Sequence, residues 1–411
     1  MGQLLFEELT KHLCIMSFRV IITVDTVMAA DNPFVYGEIV AAGAFADRDE
    51  EYHQLTTDLR AGQKVFLISP RRYGKSSLIR RSLDALAKER VMTVSVTVAG
   101  SSSYVGFLEG YAHALLSAET PAAKLRQWAA DLMRTVRPEI TVDATGPGTA
   151  AVSLSFPAVR TPRDIERLAA EVFALPARIA AARKRPMVIA LDEFQTIASF
   201  DGGTAVEEAL RAAVQQQRDV GYVFAGSEPS LMERMISSRR PFYKAGPVMR
   251  LQKIDPGEFG EWLEARFTKT GLKAEPGLGA ALVDLADNVP YDVQRLAHET
   301  WDDVKASGRK AVGLDDLHTT LTRMMRQQAT MFEEQWQRLT LAQRGVLRAL
   351  VLEQGLELLS AGVRQRHRLA TASSVQSSLA ALVREDIIMR DGPRYLLTDS
   401  LYREWIARRT F

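Results

Sequence analysis

Between about residue 45 and residue 255, short apolar runs alternate with stretches in which apolar residues return every three or four positions. That alternation is the pattern of a parallel sheet with helices on both faces. Strands are expected over 64–69, 92–99, 187–192, 221–226 and 248–254, each short and apolar, as burial on both faces requires. Helices are expected over 47–60, 75–89, 161–184, 203–218 and 229–237. The stretch EITVDATGPGTAAVSLSF, residues 139–156, breaks the rhythm with two alternating runs about a Gly-Pro-Gly turn. It predicts a β-hairpin inserted between the second and third core strands, either a surface decoration or a ribbon that docks a partner.

From about Asp255 the strand-like runs stop. PGEFGEWLEARFTKTG, GLGAALVDLAD and YDVQRLAHETWDDVKASG carry apolar residues at helical spacing and predict a small helical bundle. From Leu339 three further helical segments precede the alternating hairpin IIMRDGPRYLLTD. Three helices followed by a two-stranded wing is the order of a winged-helix domain.

Composition narrows the picture. The chain has 411 residues, 46% of them hydrophobic, and a formal net charge of +2, so a sizeable core is available and nothing marks a coat for nucleic acid or a membrane surface. Cys14 is the sole cysteine, which excludes an internal disulfide and fits a reducing, cytoplasmic location. The apolar patch at Ile21 and Ile22 is interrupted by Arg19 and Asp25 and is too short to span a bilayer. Met28 reads as the natural start, and residues 1–30 as a poorly ordered leader. The six histidines are scattered, which argues against zinc, and no Gly-x-Ser-x-Gly elbow is present.

The chemistry gathers in two places. SPRRYGKSSL, Ser69 to Leu78, lies between an expected strand and an expected helix, the context that a phosphate-wrapping loop demands. Pro70, Arg71, Arg72, Tyr73, Gly74, Lys75, Ser76 and Ser77 would then line the phosphates. Gly74 permits the turn, Lys75 would bridge the β and γ phosphates, and the Ser76 hydroxyl would ligate Mg²⁺. Ser69 stands where the usual pattern has its first glycine. The second place is PMVIALDEFQTI, a buried strand ending in Asp192 and Glu193. Ligands sit at the carboxyl ends of parallel strands, so both motifs converge on one crevice, with Asp192 holding Mg²⁺ through water and Glu193 polarising the attacking water.

These motifs, with NPFVYGEIVAAGAFADRDEE, YVFAGSEPSLM and PFYKAGPVMRLQKI, resemble the archaeal-type ATPase family of STAND and AAA+ P-loop proteins over roughly residues 31–300. The resemblance implies an α/β P-loop NTPase core over 31–255, a helical lid over 256–335 and a winged helix over 336–411. It further implies that Pro33, Phe34, Phe45 and Arg48 lie near the adenine of ATP, that Ser227 senses the γ-phosphate, and that Pro290 packs on the base. Asn288 replaces the glycine of the family's Gly-x-Pro signature. Where the family often carries an arginine finger acting on a neighbouring subunit, this chain has Lys244, with Arg239 and Arg240 just upstream.

The winged helix has two readings. Arg364, Arg366, His367 and Arg368, with Ser374, Gln376 and Ser377 on the third helix and Arg390 and Arg394 on the wing, suit contact with duplex DNA. The same module equally suits a protein partner. The expected function is an ATP-hydrolysing switch coupled to a protein partner or to nucleotide-dependent self-assembly. Its rivals are a DNA-binding ATPase of initiator or transposition type and a nucleotide-binding scaffold with negligible turnover.

Overall fold

The computed structural model describes residues 32–37, 46, 48–133, 136–146, 149–157, 159 and 161–410. The expected leader over 1–30 and Phe45 lie outside these residues.

Helix α1 (Asp49–Arg60) leads into β1 (Lys64–Ile68), α2 (Lys75–Lys88) and β2 (Met92–Thr97). Then follow α3 (Tyr104–Ser117), α4 (Ala122–Leu132) and a hairpin of β3 (Glu139–Gly146) and β4 (Thr149–Ser155). The core closes with α5 (Pro162–Arg183), β5 (Met187–Asp192), α6 (Gly203–Gln216), β6 (Val220–Gly226), α7 (Pro229–Met235) and β7 (Val248–Arg250). Five strands pair in parallel in the order β2-β5-β6-β1-β7. This order sets the carboxyl ends of β5, β6 and β1 side by side.

The period of two along each strand divides the core between the sheet's faces. Phe66, Ile68, Ile189, Tyr222 and Phe224 pack in one apolar cluster with α3 and α5 residues. Val65, Leu67, Val188, Ala190 and Val223 pack in another with Leu78, Leu83 and Leu86 of α2. Helices α3 and α4 extend the expected pattern. Phe107, Leu108, Tyr111, Ala112, Leu115 and Leu116 of α3 are all buried, so its apolar residues encircle much of the helix and blur the one-sided stripe by which a surface helix is read. The hairpin over 139–155 pairs antiparallel with Val142 opposite Val152, and Phe156 N–H donates to Glu109 of α3 at 2.9 Å. Two expected strands are shorter than their apolar runs: β2 ends at Thr97, where a 3₁₀ turn begins, and β7 ends at Arg250.

The second half holds α8 (Pro256–Lys269), β8 (Lys273–Ala274), α9 (Leu278–Leu285), α10 (Pro290–Ala306), β9 (Ala311–Val312) and α11 (Leu314–Arg338). The winged helix follows as α12 (Leu341–Leu352), α13 (Ala361–Arg366), α14 (Ala372–Arg384), β10 (Ile388–Asp391), β11 (Arg394–Leu397) and α15 (Ser400–Thr410). Asp255 accepts from the Gly257 and Glu258 amides at 2.9 and 3.0 Å and so caps α8. The boundary expected between 335 and 336 falls inside α11. One apolar cluster runs through Phe259, Leu282, Leu321, Phe332, Leu350, Leu382 and Tyr402, so the helical bundle and the winged helix share a core. Among the described residues no helix is long and apolar enough to cross a membrane.

Candidate nucleotide site

Strand β1 delivers the loop. Ser69 is buried with its N–H on the Gly226 carbonyl at 3.2 Å and its hydroxyl on the Pro70 carbonyl at 3.0 Å. Its φ is not positive, so no glycine is needed there. The bend comes later. Arg72 and Gly74 take left-handed φ values of 69° and 87°, and α2 starts at Lys75 with Leu78 N–H on the Gly74 carbonyl at 3.0 Å.

Strand β5 delivers the acids, 117 residues away in sequence from the loop lysine, and the two meet. The Lys75 ammonium bonds Asp192 and stands 3.3 Å from Glu193. The Ser76 hydroxyl donates to Asp192 Oδ2 at 3.0 Å. Strand β6, between them, delivers Ser227, whose hydroxyl donates to Glu193 Oε2 at 2.5 Å, and Gln195 Nε2 donates to the same oxygen at 2.6 Å. Burial pushes the Glu193 carboxyl up, but the Ser227 hydroxyl, the Lys75 charge and the Gln195 amide outweigh it and hold the group below the usual carboxylate range. Glu193 itself has φ 53°, a left-handed turn that ends the strand.

A cleft of about 260 Å³ lies over this cluster. Its core wall is Arg48, Pro70 to Arg72, Gly74 to Ser77 and Glu193, with Ser227; its other wall is Pro290, Tyr291 and Gln294 of α10. Arg48 is 4% exposed and held by Glu51 at 2.9 Å and the Gln252 carbonyl at 2.6 Å. Asn288 adopts φ 53° and donates to the Ile254 carbonyl at 2.8 Å. Asparagine enters this left-handed region more readily than most side chains, so it can stand in for the glycine without the strain of a branched residue.

Several sequence candidates fall elsewhere. Phe34 is buried against Phe267 and Trp262, with ring centroids 4.6 and 6.4 Å away, so its ring belongs to the lid core, and its neighbours Val35, Tyr36 and Gly37 line the cleft instead. The Pro33 carbonyl accepts from Arg266 at 3.2 Å, outside the cleft lining. Tyr73 points into the interior, 2% exposed. The guanidinium groups of Arg71 and Arg72 reach the winged helix, on Asp386 at 2.8 Å and on the Thr398 carbonyl. Arg240 is tied to the fully buried Glu207 within its own chain and stands 3.5 Å from the Thr204 hydroxyl. Lys244 is exposed, its ammonium 5.3 Å from the Tyr243 ring centroid, and Arg239 is exposed.

On the winged helix, Arg366 and His367 both bind Glu353. Arg364 and Arg394 donate to the carbonyls of Leu359 and Gln354 at 3.2 and 3.3 Å. The Ser374 amide is occupied in the helix cap by Thr371, whereas Arg368, Gln376 and Ser377 are exposed. Arg390 lines a cavity facing the core. Sequence reasoning missed Tyr36, Gln195, Tyr291 and Gln294. Among the described residues Gln294 Oε1 is buried with no hydrogen-bond partner; a polar side chain in the first turns after Pro290 is the signal that could have found it.

Residues 330–408 match the family model described as a probable winged helix domain. No curated protein matches the sequence. Among solved structures, the chain is similar to a Walker-type ATPase of Pyrococcus abyssi, at 17% identity over 89% of this chain and 97% of that one, with a TM-score of 0.57. It is also similar to the ORC2 protein of Aeropyrum pernix, solved as ADPNP–ADP complexes, at 14% identity over 92% and 96% of the two chains, with a TM-score of 0.54. The fold is thus a parallel-sheet core like those of P-loop ATPases, followed by helices and a C-terminal winged helix.

Proposed function

We propose that this chain is an ATP-binding and ATP-hydrolysing switch that acts in the cytoplasm and couples nucleotide state to a protein partner or to assembly with further copies of itself. The observation that carries the reading is the convergence of Lys75 and Ser76 with Asp192 and Glu193 beneath one cleft. Two strand ends far apart in sequence present complementary halves of one phosphoryl-transfer apparatus.

The donor set suits Mg²⁺. The Ser76 hydroxyl and Asp192 carboxylate are hard oxygen ligands 3.0 Å apart. Among the described residues no group of three or more His, Cys, Asp or Glu could hold a metal alone, so the remaining ligands of the ion in this reading are phosphate oxygens and water. Held by Ser76 and Asp192, Mg²⁺ would supply positive charge to offset that of the phosphates. Lys75, now neutralised by two carboxylates, turns its charge to the phosphates. Glu193, kept ionised, orients the attacking water and accepts its proton, while Ser227 and Gln195 fix the carboxylate's direction. Pro290, Tyr291 and Gln294 close on the base.

Phosphate release and nucleotide binding, measured on wild type, Lys75→Ala and Glu193→Gln, test this. Lys75→Ala is expected to weaken Mg-ATP binding at least tenfold. Glu193→Gln is expected to bind normally yet turn over about 10²-fold more slowly. If all three proteins release phosphate at one background rate while wild type binds ATP, the scaffold reading replaces the enzyme.

A further inference from the structure

The variable stretch of the phosphate loop carries two consecutive arginines, and neither guanidinium stays within the core. Arg71 donates to Asp386 Oδ2 at 2.8 Å, in the turn between α14 and the wing. Arg72 bonds the Thr398 carbonyl, after the wing, and lies 3.8 Å from Asp292 Oδ1 of α10 and 5.3 Å over the Tyr291 ring. The Arg72 carbonyl also accepts from the Tyr291 amide at 3.2 Å. Asp292, 5% exposed, turns its other oxygen to the Ser400 amide at 3.3 Å. Core, lid and winged helix therefore meet on two loop residues.

What surrounds this junction is loosely packed. A cavity of about 470 Å³ separates the loop and Glu228 to Leu231 from Val383, Arg384 and Ile388 to Arg390. Arg71 and Asp386 are 58% and 60% exposed. A second, half-buried contact joins Lys253 to Asp391 at 3.5 Å. Exposed ion pairs around a cavity hold far more weakly than a shared apolar core. The winged helix shares such a core with the lid and not with the sheet, so the two would leave the sheet together when the polar contacts open.

We infer that Arg71 and Arg72 are positioning residues forming a nucleotide-responsive latch, which holds the lid and winged helix against the sheet and tightens when phosphate orders the loop. The inference rests on the ATP-binding reading above. Arg71 and Arg72, whose side chains grip Asp386 and the Thr398 carbonyl, also carry backbone amides in the loop that would cradle phosphate, so ordering one orders the other. With the latch shut, Arg390 faces the core cavity and not solvent alone, so a partner of the wing would meet it fully only when the latch opens.

Hydrogen exchange over residues 386–400 of the full chain, with and without Mg²⁺ and a slowly hydrolysed ATP analogue, tests the latch. Asp386→Asn removes the charge while keeping a side chain suited to the φ of 56° at that position. Wild type should exchange this segment at least fivefold more slowly with nucleotide. Asp386→Asn should lose most of that protection and, because the coupling is reciprocal, bind the analogue about fivefold more weakly, and Arg71→Asp combined with Asp386→Arg should recover protection relative to Asp386→Arg alone. Wild type that binds the analogue without any change over 386–400, or Asp386→Asn that responds as wild type does, overturns the latch while leaving the nucleotide reading standing. Wild type that fails to bind the analogue overturns the nucleotide reading first and the coupling with it.

Discussion

Asp292 shows what a buried carboxylate costs at such a junction. Burial, with the charge of Asp399 adding to it, pushes its pKa from 3.8 up to about 6, against the opposing pull of Arg72. The folded state therefore binds the proton more tightly than the unfolded chain, so stability falls as pH rises from about 4 to about 6 and is flat above. Glu193 works the other way. Its depressed pKa contributes stability above its ordinary value of 4.5 that is lost as pH falls through the folded value. Replacing Asp292 by Asn keeps an acceptor for the Ser400 amide and removes the charge. Thermal unfolding at pH 4, 6 and 8 should show Asp292→Asn more stable than wild type by on the order of 2 kcal/mol at pH 8 and nearly equal at pH 4. The meeting of residues 75, 76, 192 and 193 could be read from the sequence because each stands at a strand or helix end set by local pattern. Gln195 and Gln294 could not, because a glutamine gains a role only through what lies across from it.

At the scale of elements, the lid depends on a close crossing. A Cβ on Gly279 of α9 would stand 2.1 Å from the Gly260 carbonyl oxygen of α8, so only glycine permits these helices to pack as they do. Gly279→Ala should force them apart and cost about 2 kcal/mol. Urea denaturation should report the loss as a lower midpoint, and the affinity for an ATP analogue should fall with it, since Pro290 and Gln294 ride on the helix that follows α9. The core strands were readable from the sequence because burial on both faces leaves uninterrupted apolar runs. Their ends were not: Val98 to Gly100 tighten into a 3₁₀ turn, and residues 251–254 leave the sheet, although the apolar pattern continues through both. Helix α3 was passed over for the opposite reason, since a helix buried on most of its surface shows no polar face to give it a period, whereas α4 was passed over although Lys124, Arg126, Gln127 and Asp131 give it an exposed polar face.

At the scale of the molecule, the two readings of the winged helix predict different behaviour with DNA. Glu353 pairs with Arg366 and His367, while Arg368, Arg384 and Arg390 are exposed, a smaller set of unpaired cations than the sequence offers for displacing counterions from a duplex. Titration with duplex DNA at 50 and 200 mM salt should yield only weak, non-specific binding, on the order of 10⁻⁴ to 10⁻⁶ M near physiological salt. Tight binding with a steep salt slope would favour the initiator-like rival. The mass of the particle with and without a slowly hydrolysed ATP analogue is expected to rise with nucleotide, and an unchanged mass would remove self-assembly from the proposal. By itself the sequence determined the parallel strands, the glycine turn ahead of Lys75, the acidic pair at the end of β5 and the succession of sheet, helices and wing, because these follow from backbone period, turn chemistry and covalent order. Only the tertiary structure decided that Arg240 is occupied by Glu207, that Phe34 fills the lid core, and that Arg71 meets Asp386. Those outcomes rest on charge and packing between residues tens to hundreds of positions apart, a distance at which local pattern holds no information.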